Sequence, residues 1–402
     1  MVMHQTFLNG QQVVSIFSRK PLEKTGCILS YKTILLMIWE QYGMIEDEAK
    51  KRTALTGLTT NKFMGKKNLN QLDSPAKSAK MEFSEEERKA AEIYPFLASD
   101  YYLGLIGKDR KNDPIFKQCF PDARELHGKK ELSEDPLAEE KQMPVANLIH
   151  RYKDRVVLLV TNKCAVHCRF CFRKRKWKKG NSAGDISNDN LQEACKYISN
   201  HTEIREVLVS GGDPLMLSNG RLKTILANVT KIKNVDVIRI GTRIPAVLPM
   251  RIDKPLVNML SEVRGLWLMT HFNHPAELTK EAEQACLILV KAGIPLLNQT
   301  VLLKGVNDDA EVLEELFRAL LKIKVKPHYL FHADPVEGSS HFRTGIKKGL
   351  EIMKKLRPAL SSLGTPIFAI DLPDGGGKVH LQPNYRSGKK YMDINGKNIH
   401  YD

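Results

Sequence analysis

The chain has 402 residues, 42% hydrophobic and 27% charged, enough for roughly two to four units or one large α/β barrel with additions, and too apolar and mixed for a disordered or collagen-like protein. No run reaches the roughly 18 apolar residues a membrane span needs, and seven cysteines in this length fall short of a disulfide scaffold. The formal net charge of +16 is concentrated: residues 151–180 hold eleven lysines and arginines against the single acid Asp154, which suits a bound anion, a nucleic acid or a solvated basic loop.

Residues 1–80 read as an N-terminal arm and linker, short of acids over 1–45 and rich in Lys, Asn and Ser over 61–80, with a faint resemblance to a transit peptide and the composition of a poorly ordered arm. At Ser84 the pattern changes. A hydroxyl followed by Glu85, Glu86 and Glu87 and then by Ala90, Ala91 and Ile93 is a helix start, opening a helical region over 81–150. Beyond Tyr152, β-branched runs recur about every 25–45 residues: Val156–Thr161, Val207–Ser210, Val235–Ile240, Leu266–Thr270, Leu296–Leu302, Pro327–Phe331 and Pro366–Ile370. Amphipathic stretches such as Asn190–Ile198, Pro275–Ala292 and Ala310–Ile323 separate them. Apolar strands alternating with helices predict parallel βα units, six or seven of them, and hence a full or partial barrel over 151–375 with a short extension over 376–402. Chemistry in such a fold gathers where strands end, and Cys164, Gly211, Arg243, His271, Asp334 and Asp371 all stand there.

The first strand is followed by Cys164-Ala-Val-His-Cys168-Arg-Phe-Cys171. Three thiolates can converge from this loop, and soft ligands favour an iron–sulfur cluster or zinc. A structural zinc asks for four protein ligands in a closed shell; only His167 could supplement the three cysteines, which argues against zinc. A cubane cluster held by three cysteines keeps one iron open for a small chelate. Such a cluster needs a reducing compartment, hence a cytoplasmic location. Cys27, Cys119, Cys195 and Cys286 are isolated and read as inert thiols. Near the C-terminus, Asp374-Gly375-Gly376-Gly377-Lys378 puts a lysine behind three glycines. That loop permits close backbone approach and leaves an amine free to form a Schiff base with pyridoxal phosphate, although a Gly-rich loop carrying a lysine is more often structural.

The cysteine spacing resembles the radical S-adenosylmethionine superfamily, and Ser210-Gly211-Gly212-Asp213-Pro214 resembles its Gly-Gly-Glu-Pro segment with Asp213 in place of Glu. From about Tyr101 to Tyr385, the Arg151-Tyr152-x2-Arg155 stretch, the cysteines, Arg173, Asn298-Gln299, the Asp334 loop with His341 to Thr344, and the Asp371 to Lys378 loop follow the order of the lysine 2,3-aminomutase family. The resemblance implies a partial (β/α)6-type TIM barrel of the radical SAM kind. It implies a 4Fe–4S cluster on Cys164, Cys168 and Cys171, and S-adenosylmethionine held near Ser210, Gly211, Gly212 and Asp213. Pyridoxal 5′-phosphate would be anchored by Lys378, with Arg151, Tyr152 and Arg155 near its ring and phosphate. Arg173 would grip the substrate α-carboxylate, while Asp334 and Asp371 hold the distal ammonium of L-lysine. The implied reaction is an isomerisation moving the α-amino group to C3 to give β-lysine, with one electron from a flavodoxin or ferredoxin. Planar Arg173 suits a carboxylate and two acids suit an ammonium, which argues against glutamate but leaves arginine open.

Two departures stand out. No cysteine cluster follows Lys378, and Asp309 stands where a structural zinc ligand is expected, which leaves a homo-oligomer unsupported. The cysteine wording also resembles the branch that makes β-lysine for elongation factor P. Two rivals stay open: a radical enzyme acting on RNA, favoured by the basic run, and a non-enzymatic nucleic-acid-binding protein with a structural zinc.

Overall fold

The computed structural model describes residues 4–8, 11–15, 83–127, 132–178, 184–393 and 395–401. The chain divides into two compact units, Met1–Gln71 and Leu72–Asp402. In the first, His4–Leu8 and Gln11–Ser15 form an antiparallel ladder; the rest of the arm and linker expected over 1–80, with Cys27, lies outside the described residues.

The second unit is built on one nine-stranded sheet: β1 (Leu148–Tyr152), β2 (Arg155–Thr161), β3 (Glu206–Gly211), β4 (Val237–Gly241), β5 (Leu266–Thr270), β6 (Leu296–Leu302), β7 (Val325–His332), β8 (Ile367–Leu372) and β9 (Gly377–Leu381). Strands pair in chain order. From β2 to β8 every pairing is parallel, joined by crossovers through helices Asn188–Asn200, Asn219–Thr230, Lys254–Ser261, Lys280–Lys291, Ala310–Lys322 and Ile346–Ala359. This is the (β/α)6 arrangement the alternation predicts. Five of those helices start at a side chain that accepts a backbone N–H of the first turn: Ser187, Ser218, Asp253, Thr279 and Asp309, satisfying donors the helix itself cannot. Asp309, flagged for zinc, is one of these caps, accepting from Glu311 N at 2.8 Å.

Alternation along the strands sorts the two faces. Leu158 and Val160, Val207 and Val209, Ile238 and Ile240, and Leu266 and Leu268 are buried in one apolar core with Leu191, Leu222, Leu256, Leu289 and Leu316 of the crossover helices. The opposite face is mixed and lines a cavity of about 770 Å³: Arg155, Glu206, Ser210, Arg239, Gln299, Phe331, Asp371 and Lys378 all point to it. An ordinary eight-stranded barrel fills that space with aliphatic layers; charged side chains here leave it open for ligands.

Both edges differ from the sequence expectation. Antiparallel β1 and β9 extend the sheet at either end, and the mixed sequences Leu-Ile-His-Arg-Tyr and Gly-Lys-Val-His-Leu lack the β-branched runs that mark the central strands. The two edges meet where Lys378 N donates to Tyr152 Oη at 2.7 Å. Val235 lies before β4 because its N–H turns back to Ile232 O. Pro275–Glu277 is a separate 3-10 turn, and the helix restarts at the Thr279 cap. No helix among the described residues is long and apolar enough to cross a membrane.

Candidate active site

The cysteine loop leaves β2 and is fastened by the helical region that precedes the barrel. His167 N and Arg169 N donate to Leu97 O and Gln118 O, and the His167 ring stacks on Trp177 at 4.2 Å. One fully buried carboxylate, Glu125, binds Arg169 at 2.6 Å and Lys174 at 2.9 Å, clamping the loop on both sides of Cys171. Burial lowers the Lys174 ammonium to about 8, against the pull of Glu125.

The rest of the basic run, as far as Lys178, is paired with carboxylates, buried at Arg175 and partly exposed at Lys176 and Lys178. Arg173 and Arg175 share the buried Glu139, Lys176 reaches Glu140, and Lys178 pairs with Glu134 and Glu337. The anions that balance this charge are therefore the protein's own carboxylates. Lys174 and Arg175 are buried rather than solvated. Burial would raise the Glu139 carboxyl, but Arg173 and then Arg175 outweigh it and hold it below its ordinary value.

Cys164, Cys168 and Cys171 line the upper part of the cavity with Gly211, Gly212 and Asp213. Gly211 has φ +131, and a Cβ there would stand 2.3 Å from Thr161 O; at Gly212 it would stand 2.4 Å from Lys163 O. These glycines let the end of β3 lie directly against the backbone leading to Cys164. The Asp213 carboxylate is buried and accepts from Leu215 N, Thr242 Oγ1 and Arg243 N. One methylene shorter than Glu, it stays with the strand-end backbone. Arg173 reaches the same corner, donating to Ser210 Oγ at 3.0 Å and Gly211 O at 3.3 Å besides its pair with Glu139 at 2.7 Å.

At the β7–β9 side, Asp334, Asp371 and Lys378 come together. Lys378 Nζ lies 2.8 Å from Asp371 Oδ2 and 3.9 Å from the Phe331 ring centroid. Burial pushes the Lys378 ammonium below its usual value, partly offset by Asp371, favouring the neutral amine a nucleophile requires. Burial, then the charge of Asp371, raises the Asp334 carboxyl to about 7; Lys378 and Arg343 pull it down and Glu139 adds to the rise. Gly375 and Gly377 have φ +80 and +84, and a Cβ at Gly377 would sit 3.3 Å from Tyr152 Oη. Of the edge residues, Arg155 stacks over the Tyr152 ring at 3.9 Å. Arg151 donates to Gln142 Oε1 and Leu137 O. All three line the cavity.

Every site residue singled out in the sequence thus borders one cavity. Glu125, Glu139 and Arg239 were missed there. The acid pair Glu139-Glu140, matched against the basic run at 173–178, was the available signal; nothing local marked Glu125.

The superfamily model described as Radical SAM matches residues 158–317. The L-lysine 2,3-aminomutase of Clostridium subterminale is 45% identical over 304 residues, 75% of this chain and 73% of that protein. An Aquifex aeolicus relative named for the same activity is 47% identical over 316 residues, 77% of this chain and 85% of its own. This chain belongs to the lysine 2,3-aminomutase family. The glutamate 2,3-aminomutase of Clostridioides difficile is also similar, 43% identical over 291 residues, 72% of this chain and 68% of that one.

A lysine 2,3-aminomutase family member is a radical SAM isomerase with a 4Fe–4S cluster, S-adenosylmethionine and pyridoxal phosphate, and the cavity can be tested for each. Among the described residues no trio of His, Cys, Asp or Glu converges on a single-ion site; a multi-iron cluster, with each thiolate on a different iron, does not require that. Burial raises Cys171 to about 11 and Cys164 well above its ordinary value, with neighbouring cysteines adding to both. Three cysteine side chains bordering one cavity are the soft donor set that an iron–sulfur cluster takes. For pyridoxal phosphate, a depressed lysine amine beside a glycine turn and a facing Arg155–Tyr152 stack fit an anchored aromatic phosphate.

Proposed function

We propose that the protein converts L-lysine to β-lysine. The observation that carries this reading is the pair of carboxylates, Asp334 and Asp371, bordering the same cavity as Arg173 and Lys378. A substrate with a carboxylate at one end and an ammonium at the other matches Arg173 and the two acids respectively. A distal carboxylate, as in glutamate, would meet like charge there. The chain's similarity to L-lysine 2,3-aminomutases supports the same choice.

Cys164, Cys168 and Cys171 would hold the cluster, with S-adenosylmethionine beside Ser210, Gly211, Gly212 and Asp213, and Lys378 would anchor pyridoxal phosphate; bound, these groups would supply radical chemistry at C3 and a delocalised system for the amino group. The protein's own residues do the rest. Arg173 passes from Glu139 to the substrate carboxylate, and Glu139 stays buried with Arg175. Lys378 moves off Asp371, which then faces the substrate ammonium with Asp334. Tyr152 holds the Lys378 backbone, so the side chain swings from a fixed point. Enclosure by nine strands keeps the radical from other hydrogen donors. An outside donor of the flavodoxin or ferredoxin type completes the electron supply.

The test is anaerobic incubation of reconstituted protein with S-adenosylmethionine, dithionite and L-lysine, beside Lys378→Ala. β-Lysine from the wild type alone is expected. An intact iron–sulfur spectrum without bound pyridoxal phosphate and without β-lysine would overturn the reading.

A further inference from the structure

The end of β4 carries a buried cation that the proposed reaction does not use. Arg243 is 7% exposed. Its Nη2 donates to Gln118 Oε1 at 2.6 Å, Glu277 Oε1 at 2.7 Å and Tyr102 Oη at 3.0 Å, and its Nη1 donates to Cys168 Sγ at 2.7 Å. Its backbone N–H is held by Asp213 at 2.7 Å. Buried Nε has no partner, so the guanidinium is packed for its far end.

Glu277 makes that orientation rigid. It is fully buried; Oε2 accepts from Asn273 N and His274 N, and Oε1 from Tyr102 Oη and Arg243. The carboxylate cannot follow Arg243, so the ion pair is a fixed dipole with its positive end toward Cys168. His271, a titratable neighbour just beyond the adjacent strand β5, is held neutral by burial and then by the charge of Arg243, its value lowered to about 3, and adds no competing charge.

We propose that Arg243, oriented by Glu277, Gln118 and Tyr102, is a positioning residue that sets the reduction potential of the cluster through the Cys168 thiolate. Hydrogen bonds to cluster sulfurs and nearby positive charge stabilise the more negative, reduced state and raise the potential. One electron added to the cluster is thus partly balanced by a charge that does not move. The carboxylate behind it limits the effect. The inference rests on the assignment of Cys164, Cys168 and Cys171 as cluster ligands.

The experiment is a redox titration of the reconstituted full-length protein with dithionite, read by the electron paramagnetic resonance signal of the reduced cluster, with iron and sulfide measured on every sample. Arg243→Gln is expected to shift the oxidised-to-reduced ratio at fixed solution potential at least tenfold toward oxidised, about 59 mV for one electron. Arg243→Lys, which keeps a cation, should recover more than half of that shift. Glu277→Gln, which unmasks the guanidinium, should move the ratio the other way. Arg243→Gln with full iron and a wild-type potential, or both charge variants moving in one direction, overturns the inference. Should Arg243→Gln assemble no cluster, Glu277→Gln decides alone, and an unchanged or lowered potential overturns it. Wild-type protein that takes up no iron would instead overturn the ligand assignment.

Discussion

Lowering the pH from 8 to 6 should weaken L-lysine binding by about tenfold through Asp334. The carboxyl is raised to about 7 by burial and by Asp371, so in the free protein it is mostly protonated at pH 6. A substrate ammonium placed between Asp334 and Asp371 favours the ionised form, and binding at low pH must expel a proton. With the bound value well below 6, the apparent Kd rises by a factor of 1 + 10^(7 − pH): about 11 at pH 6, about 2 at pH 7 and about 1.1 at pH 8. The groups facing Asp334 are Asp371, Lys378, Arg343 and Glu139, and exchanging Asp334 for Asn isolates its share. Titration calorimetry on cofactor-loaded protein without reductant measures binding alone, in two buffers of different ionisation heat to count the protons released. The sign for stability is fixed by the same shift. A raised carboxyl favours folding below the ordinary carboxylate range and loses that contribution as pH climbs through 7, so Asp334→Asn should raise Tm at pH 8 while flattening the binding slope. A Kd independent of pH from 6 to 8, or a slope that survives in Asp334→Asn, refutes the reasoning.

Glu125→Gln strands the buried cations Arg169 and Lys174 and should cost about 3–5 kcal/mol in urea unfolding, with lower iron uptake; a loss under about 1 kcal/mol would show that the clamp does not hold the loop. Gly377→Ala places a methyl at φ +84 beside Tyr152 and should cost about 1–3 kcal/mol, with pyridoxal phosphate retention, read by absorbance, falling in parallel. Wild-type retention would count against the turn's role. Asp371→Asn removes the charge that partly offsets the lowering of Lys378 by burial, so the pH midpoint for cofactor attachment should move downward; an upward or absent shift contradicts the pairing.

The seven parallel strands were legible because each carries its own short apolar run and these runs alternate with six amphipathic helices. Within the large sheet, the strands that were missed are the two that finish it. β1 and β9 pair antiparallel, carry His150, Arg151, Lys378 and His380, and owe their strand state to the neighbour's ladder rather than to local propensity. Residues that border the cavity were visible where the local sequence pattern is unusual, as in the cysteine loop and the glycine turn. The carboxylates that organise them were not. Glu125 and Glu139 sit in ordinary-looking segments, and their meaning arises only when folding brings them against Arg169, Lys174, Arg173 and Arg175. A local run of charge in the sequence, as at 173–178, is thus a poor guide to which charges reach the surface.

Lys378 lies on β9, the last strand that joins the sheet, and its backbone N–H bridges to Tyr152 on β1, the first. A ribosome making this chain delivers the cysteine loop about two hundred residues before Lys378, so the three thiols emerge while the cavity still lacks a wall. The Lys378 amine reaches its depressed state only once both ends of the sheet have come together. If Lys378 is the proposed anchor, pyridoxal phosphate attachment is a chemical readout of finished folding, and a truncated or stalled chain would expose thiols without ever acquiring the cofactor's colour.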